Sequence, residues 1–299
     1  MIDELRLKHA LNKILKVSGL SKSTYEYYHS KKHLNVIYNK AKEEDRILSI
    51  IIPIFTHHKS RYGSRRVILA SKELQGINHK KIARIMSENG LKAKQGTNGK
   101  YHSYKGDNGE SKENLLLKSK DNKQIRHFET DKPNQIWSTD VSEFKSDEGK
   151  LYLSPIKDFY DDSIISYDIS SSPDFNQIKR MIDSAFNQYD DLKGLIFHSD
   201  QGWQYQMKPY QQWLQDKGIK QSFSRKGNCM DNSPMENFFS IMKNEMYYGH
   251  TFKTRSDLKQ AMDEYITYYN TERINIKRKG LSPYEYRQQS LNELTLEQI

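Results

Sequence analysis

The sequence predicts a mixed α/β domain preceded by an all-helical, basic region. Three observations carry this. Up to about residue 94, apolar residues recur at helical spacing between glycine stops. From residue 134, short runs rich in β-branched and aromatic residues alternate with helical stretches. Charge follows the same division: residues 1–129 hold 27 Lys and Arg against 13 Asp and Glu, a net of +14, whereas 130–299 hold 21 against 25, a net of −4. A basic half points to a polyanionic partner, and an acidic half concentrates possible metal ligands.

Composition narrows the class further. The chain has 299 residues, enough for about two domains, with 35% hydrophobic residues and a net charge of +10. Its one cysteine, Cys229, excludes an internal disulfide and a multi-cysteine zinc site. The pair His57-His58 lacks cysteine partners for a zinc finger. Apolar runs stay well short of a membrane span, and charges throughout the first residues argue against a secretory signal, so the chain reads as cytosolic.

Element by element, residues 3–17 place Leu5, Leu7, Leu11, Ile14, Leu15 and Val17 near helical spacing, and Gly19 stops the run. SKSTYEYY starts a second helix behind polar capping residues, and a third covers 43–57. RYGSRRVILASKELQ has a start at Gly63-Ser64 and an end at Gly76; Asn78 caps HKKIARIMSEN, which Gly90 terminates. Short basic helices joined by glycine turns suit a helix-turn-helix, and residues 51–100 hold 11 Lys and Arg against 2 acids. Lys80, Lys81 and Arg84 mark its cationic surface, where contacts to phosphates position without reading sequence. Residues 95–129 read as a polar linker or arm, with Tyr101, His102 and Tyr104 suited to lie along a nucleic-acid backbone.

In the second half, IWSTDVSEF reads as a strand, SDEGK as a turn, and LYLSPIKDFY and SIISYDIS as strands two and three. DFNQIKRMIDSAFNQY is helical, LKGLIFHSD a central apolar strand, KPYQQWLQDKG a helix and IKQSFS a fifth strand. The loop RKGNCMDN leads into a final helix, SPMENFFSIMKNEM. This order is that of a ribonuclease H-like mixed five-stranded sheet with flanking helices. The expected organisation is an N-terminal helical segment (1–42), a helix-turn-helix region (43–94), the arm (95–129), the α/β core (130–290) and a tail (291–299).

In that topology strands one and four lie side by side, so Asp140 and Asp200 converge and the following helix brings Glu236 opposite them. Three carboxylates on two strands and a helix suit hard divalent cations such as Mg²⁺. Two such ions about 3.5–4 Å apart flank a scissile phosphate in phosphodiester chemistry; Asp140 is expected to bridge both ions, with Asp200 on one and Glu236 on the other. Lys243, seven residues after Glu236, falls on the same helix face and is placed to hold DNA beside the metals. Each residue has a plainer reading: Ser233-Pro234-Met235-Glu236 fits a capping box, and Asp200 before Gln-Gly fits a turn. An acid in the Trp- and Val-containing run around Asp140 is harder to explain without a partner. Glu143, Asp158, Asp161 and Asp168 read as solvated or turn acids. His198 suits either a substrate contact or a hydrogen-bonded structural role; Trp203 and Tyr205 suit either base stacking or the core.

WSTDVSEF, YLSPIKD, HSDQGWQY, SRKGNCMDNSPMENFF and YYNTERIN with GLSPYEYR together resemble the second-frame product of insertion-sequence-three family transposases, which carry a DDE integrase catalytic core. YGSRRV and NHKKIARIMSENGLKAK resemble the helix-turn-helix segment that precedes that core, and the likeness spans about residues 45–290. It implies a DDE-type polynucleotidyl transferase with Asp140, Asp200 and Glu236 as catalytic and metal-binding triad and Lys243 as the usual basic follower. It further implies two Mg²⁺ ions, replaceable by Mn²⁺, and DNA contacts from Lys80, Lys81, Arg84, Arg65 and Arg66. The implied partners are double-stranded DNA of transposon ends and target, further copies of the chain on DNA, and a protein from the upstream frame; the implied location is the bacterial cytoplasm. Ser142 stands where Thr is usual and Ser233 where Ala is usual, neither a ligand. The zinc-binding His/Cys module of retroviral integrases is missing. The alternative reading is a catalytically inactive DNA-binding regulator from the same frame.

Overall fold

The computed structural model describes residues 2–94, 112–120 and 123–296. The chain divides into two compact units, Met1–Ala93 and Lys94–Ile299. Most of the expected arm, 95–111 with Tyr101, His102 and Tyr104, lies outside the described residues. No helix among those described is long and apolar enough to cross a membrane.

The first unit is helical. The predicted run over 3–17 is two short helices, α1 (Ile2–Leu5) and α2 (Leu11–Ser18), with Gly19 ending the second at φ 69°. Leu7 and Val17, which make the run look continuous, are 88% and 90% exposed, and only Ile14 and Leu15 of α2 are buried. Helix α3 (Lys22–His29) is capped by Ser21, whose hydroxyl accepts from the Thr24 N–H. Ser30 caps α4 (Lys31–His57) in the same way, so this helix begins a dozen residues before the predicted start and continues through Pro53. The RYGSRRV segment forms only a short helix, α5 (Ser64–Leu69), and one 3₁₀ turn. Asn78 caps α6 (His79–Glu88) as expected. Ile47, Ile51 and Phe55 of α4 are buried, as are Val67 of α5 and Ile82, Ile85 and Met86 of α6.

In the second unit, part of the expected arm is folded: β1 (Leu117–Lys120) and β2 (Lys123–Arg126) form an antiparallel hairpin. Leu116 beside it is buried in a small cluster with Ile136 and Phe159. The main sheet holds β3 (Ile136–Thr139), β4 (Ser142–Ser146), β5 (Gly149–Asp158), β6 (Ile164–Ser170), β7 (Ile196–Ser199) and β8 (Lys220–Phe223). Both β3 and β4 pair with β5, so the expected first strand is interrupted at Asp140–Val141, and the five-strand reading becomes six by this break. β7 runs parallel to both β3 and β8, while β6 closes the far side against β5. Helices α7 (Phe175–Phe186) and α8 (Lys208–Asp216) follow β6 and β7, and their Ile178, Met181, Ile182 and Leu214 pack with Trp137 and Phe197 in the main core. Helix α9 (Ser233–Met242) runs into a π-helical turn, Lys243–Tyr247, and is followed by α10 (Arg255–Thr271) and α11 (Pro283–Leu296).

At the start of β6, the Asn270 side chain from α10 accepts from the Ile164 N–H at 2.9 Å and donates to the Ile164 carbonyl at 2.9 Å. Two acids that read as solvated are instead buried: Asp158 and Asp161 are both 0% exposed. Arg287 of α11 reaches both, donating from Nη2 to Asp158 at 2.6 Å and from Nε to Asp161 at 2.5 Å, with Nη1 on the Tyr189 hydroxyl at 2.6 Å. Burial, with the Asp161 charge beside it, pushes the Asp158 pKa up to about 6 against the opposing pull of Arg287. Asp168, paired with Arg180 at 2.8 Å, and Glu143, with Lys150 at 2.8 Å, sit nearer the surface, as expected. Arg287 therefore fastens α11 to the end of β5 through charge that has no solvent alternative. Replacing it with Met should destabilise the protein by about 3–5 kcal/mol, since two carboxylates lose their buried partner. Urea unfolding measures this; a loss under about 1 kcal/mol would reassign the cluster to the surface.

Candidate active site

The centre forms where β3 and β7 end. Their parallel register pairs Ile136 with Ile196, Trp137 with Phe197 and Ser138 with His198. Continued by two residues, this pairing leaves Asp140 and Asp200 side by side at the carboxyl ends of adjacent strands. Asp140 is buried, and its Oδ1 accepts from the Val141 N–H at 2.8 Å, at the point where the first strand breaks. Asp200 is half-buried and turns its Oδ1 onto the Gly202 N–H at 2.9 Å. Gly202 eases this close approach: a Cβ there would meet Asp200 Oδ1 at 3.0 Å and the Tyr205 ring at 3.3 Å, so the neighbouring side chains would have to give. The turn reading of Asp200 and its site reading thus coexist in one geometry.

Beneath the pair lies Tyr205, fully buried, its hydroxyl 3.5 Å from Thr139 Oγ1. Burial first, then the charges of Asp200 and Asp140, push its pKa well up, so both carboxylates bear on one phenol. Tyr205 is thus a core residue and not a stacking platform, whereas Trp203 is partly exposed. His198 is also structural: it is 0% exposed, with Nδ1 2.8 Å from Ser222 Oγ and Nε2 3.0 Å from Ser224 Oγ. Burial holds its pKa down at about 4, so the ring is neutral and bridges β7 to the end of β8.

Glu236 stands in the first turn of α9, after Pro234. The helix is tied to β3 by Asn232, whose Nδ2 donates to the Thr139 carbonyl at 3.2 Å, one residue before Asp140. The turn before α9 is held by Asp231, a fully buried carboxylate that no sequence motif singles out. It accepts from Arg225 Nε at 2.9 Å, Arg126 Nε at 2.7 Å and Asn114 Nδ2 at 3.0 Å. Burial alone would raise its pKa, but the bonds from Arg225 and Arg126 outweigh this and hold it well below the carboxylate range. Arg126 and Asn114 come from the hairpin segment more than a hundred residues away, so no local pattern announces them.

Lys243 opens the π turn, its Nζ 5.1 Å from the centre of the Phe144 ring. Burial lowers its pKa, and the charges of Asp140 and Glu143 oppose that. In the other unit, Lys80 and Arg65 are exposed and Lys81 and Arg66 partly so. Arg84 is already engaged, with Nη2 on Glu44 at 2.5 Å and Nη1 on Glu88 at 2.7 Å. The Glu44 pair links α6 to α4, and the two pairs leave the Arg84 side chain 40% exposed.

The residues suit a hard cation. Carboxylates are the donors such a cation takes, and Asp200, pushed upward in pKa by burial, carries a charge that a cation would relieve. Oε1 of Glu236 is buried as well.

Residues 130–229 and 236–291 match two models described as integrase core domain, and residues 42–98 match one described as an HTH-like domain. The chain is 40% identical over 97% of its length to a protein of Escherichia coli (strain K12) assigned as the transposase InsK for insertion sequence element IS150, covering 98% of that protein. It is 52% identical over 74% of its length to a transposase-like protein of Haemophilus influenzae, covering 98% of it. It is 30% identical over 81% of its length to the transposase InsF for insertion sequence IS3A of Escherichia coli (strain K12), covering 82% of it. Among solved structures, the HTLV-2 integrase catalytic core domain in complex with magnesium aligns with a TM-score of 0.37 at 16% identity, over 52% of this chain and 97% of that one.

Proposed function

Because the chain belongs to the IS3 family of insertion-sequence transposases and carries their integrase core, we propose that Asp140, Asp200 and Glu236 form the metal-binding catalytic centre of its DNA cleavage and strand transfer. Its function is DNA transposition, and the core is that of a polynucleotidyl transferase. The observation that supports the assignment of residues is the β3–β7 register, in which each paired strand is followed directly by an aspartate, with Asn232 before α9 tied to the Thr139 carbonyl.

Bound Mg²⁺, two ions by this reading and replaceable by Mn²⁺, supplies a Lewis acid at the phosphorus and an activated water or 3′-hydroxyl. The chain's own residues hold the ions and the DNA. Asp140 is fixed by the Val141 N–H, and Asp200 is held by the Gly202 N–H near the buried Tyr205. Lys243, its side chain over the Phe144 ring, offers a phosphate contact beside them. His198, held between Ser222 and Ser224, braces the strand that leads to Asp200.

Changing Asp140 or Asp200 to Asn, or Glu236 to Gln, should lower strand transfer of pre-cut ends in Mg²⁺ by roughly 10³-fold or more while leaving DNA binding nearly unchanged. Equal loss of binding would make the acids structural, and retained transfer would remove them from the centre. A wild-type chain inert in this assay would favour the regulator reading, although all three carboxylates are present.

The helical unit is proposed as the DNA anchor through Lys80, Lys81, Arg65 and Arg66, on the strength of its basic excess and its match to an HTH-like domain. Lys80→Ala with Lys81→Ala should flatten the salt dependence of DNA binding by about one unit of log–log slope for each phosphate that is no longer neutralised. An unchanged slope would return α6 to a packing role.

Joining two transposon ends needs two centres, so the active form is proposed as at least a dimer on paired ends, with an upstream-frame product as a further partner. Mixing a Glu236→Gln subunit with a Lys80→Ala/Lys81→Ala subunit should recover activity that neither shows alone. Full activity from a single copy on one end, sized as a complex, would overturn this.

A further inference from the structure

A second hold on α9 comes from a buried cation outside the carboxylate centre. Lys157, near the end of β5, is 2% exposed. Its ammonium pairs with Asp162 at 2.7 Å and donates to the Pro234 carbonyl at 3.0 Å. Pro234 lies two residues before Glu236 in the first turn of the same helix. Asp162 is shared with Arg278, which also donates to the Tyr160 carbonyl at 3.3 Å. Across the sheet, Lys157 pairs in register with Ser138, two residues before Asp140. The strand pair that delivers Asp140 therefore also grips the turn that carries Glu236.

Burying an ammonium is unfavourable unless it is paired and hydrogen-bonded. Asp162 balances the charge, and an apolar side chain at 157 would have avoided the cost altogether. What Lys157 adds, and Asp162 cannot, is a donor that crosses from the sheet to the backbone of α9. Asn232, on the Thr139 carbonyl, anchors the residue before the helix; Lys157 anchors the turn itself. Two points fix the direction of a helix start where one would leave it able to pivot.

We propose that Lys157 is a positioning residue: its bond to the Pro234 carbonyl sets the first turn of α9, and so Glu236, against the β3–β5 edge that ends at Asp140. The inference rests on Glu236 being a metal ligand, as proposed above. Partners that orient a ligand typically cost 10–100-fold in metal affinity when removed.

The test uses the full chain without DNA and reads Mn²⁺ binding by titration of free ion, together with amide hydrogen exchange over residues 236–240 in the metal-free protein. Lys157→Met should weaken Mn²⁺ binding by roughly 10-fold or more and speed exchange in that turn. Asp162→Asn keeps the lysine and its donor, so it should lower the unfolding midpoint while leaving Mn²⁺ affinity within about 2-fold of wild type, well inside that range. Wild-type Mn²⁺ affinity in folded Lys157→Met overturns the proposal. So does a loss of affinity in Asp162→Asn as large as in Lys157→Met, because the buried pair would then act through stability alone. Should Lys157→Met not fold, the Asp162→Asn arm still decides: weakened Mn²⁺ binding there counts against positioning. Glu236→Gln separates the two claims. If it binds Mn²⁺ as wild type does, the ligand assignment fails; if it is weak while Lys157→Met is normal, only the positioning role fails.

Discussion

Two parallel strands ending at the same level are the constraint on which the rest of the core depends. β3 and β7 share a register that brings Asp140 and Asp200 out together, and a slip of one residue would turn either side chain to the opposite face. The surrounding structure guards this register. Trp137 and Phe197 pack in the core from paired positions, and His198, locked between Ser222 and Ser224, ties β7 to the end of β8. The break in the first strand at Asp140–Val141 takes the aspartate out of the ladder while β4 continues along β5, so the pairing with β5 is kept and the carboxylate stands at the end of β3.

Around that centre, the unit uses buried charge as fastening. Asp231 joins the hairpin to the turn before α9, Arg287 joins α11 to the end of β5, and Glu245 holds Arg273 of the segment after α10 at 2.7 Å. Each pair is far apart in sequence. Buried pairs are weak sources of net stability but costly to break, so they act chiefly to exclude other arrangements of the same helices. Helix α9 is enclosed by such contacts before it and after it, which suits a helix whose first turn carries a site residue.

What is legible in the sequence is whatever is periodic or local. The succession of strands and helices, the Gly19 stop, the Asn78 cap and the placement of Asp200 after a strand and Glu236 near a helix start follow from spacing and capping chemistry, whereas the break that puts Asp140 at a strand end does not. What stays hidden depends on partners far along the chain. Asp158 and Asp161 look like turn acids until Arg287, well over a hundred residues later, reaches them. Arg84 looks like a free cation until Glu44 of α4 arrives beside it. The hairpin at 117–126 reads as part of an arm because its strands are short and polar, and Leu116 and Arg126 dock through residues that no local window contains. The helix over 3–17 fails for the opposite reason: the spacing is present, but Leu7 and Val17 meet no core.

The side-chain amide of Asn270 satisfies both backbone groups of Ile164, as a residue of a neighbouring strand would. It thereby ends the sheet at that point. An open strand edge templates pairing with any other extended chain, and the hazard grows with local concentration. Copies gathered on neighbouring DNA ends would face such concentrations. A helix that lends one amide to the start of β6 closes that site to edge-to-edge aggregation without adding a strand, and leaves association to surfaces with more specific shape and charge.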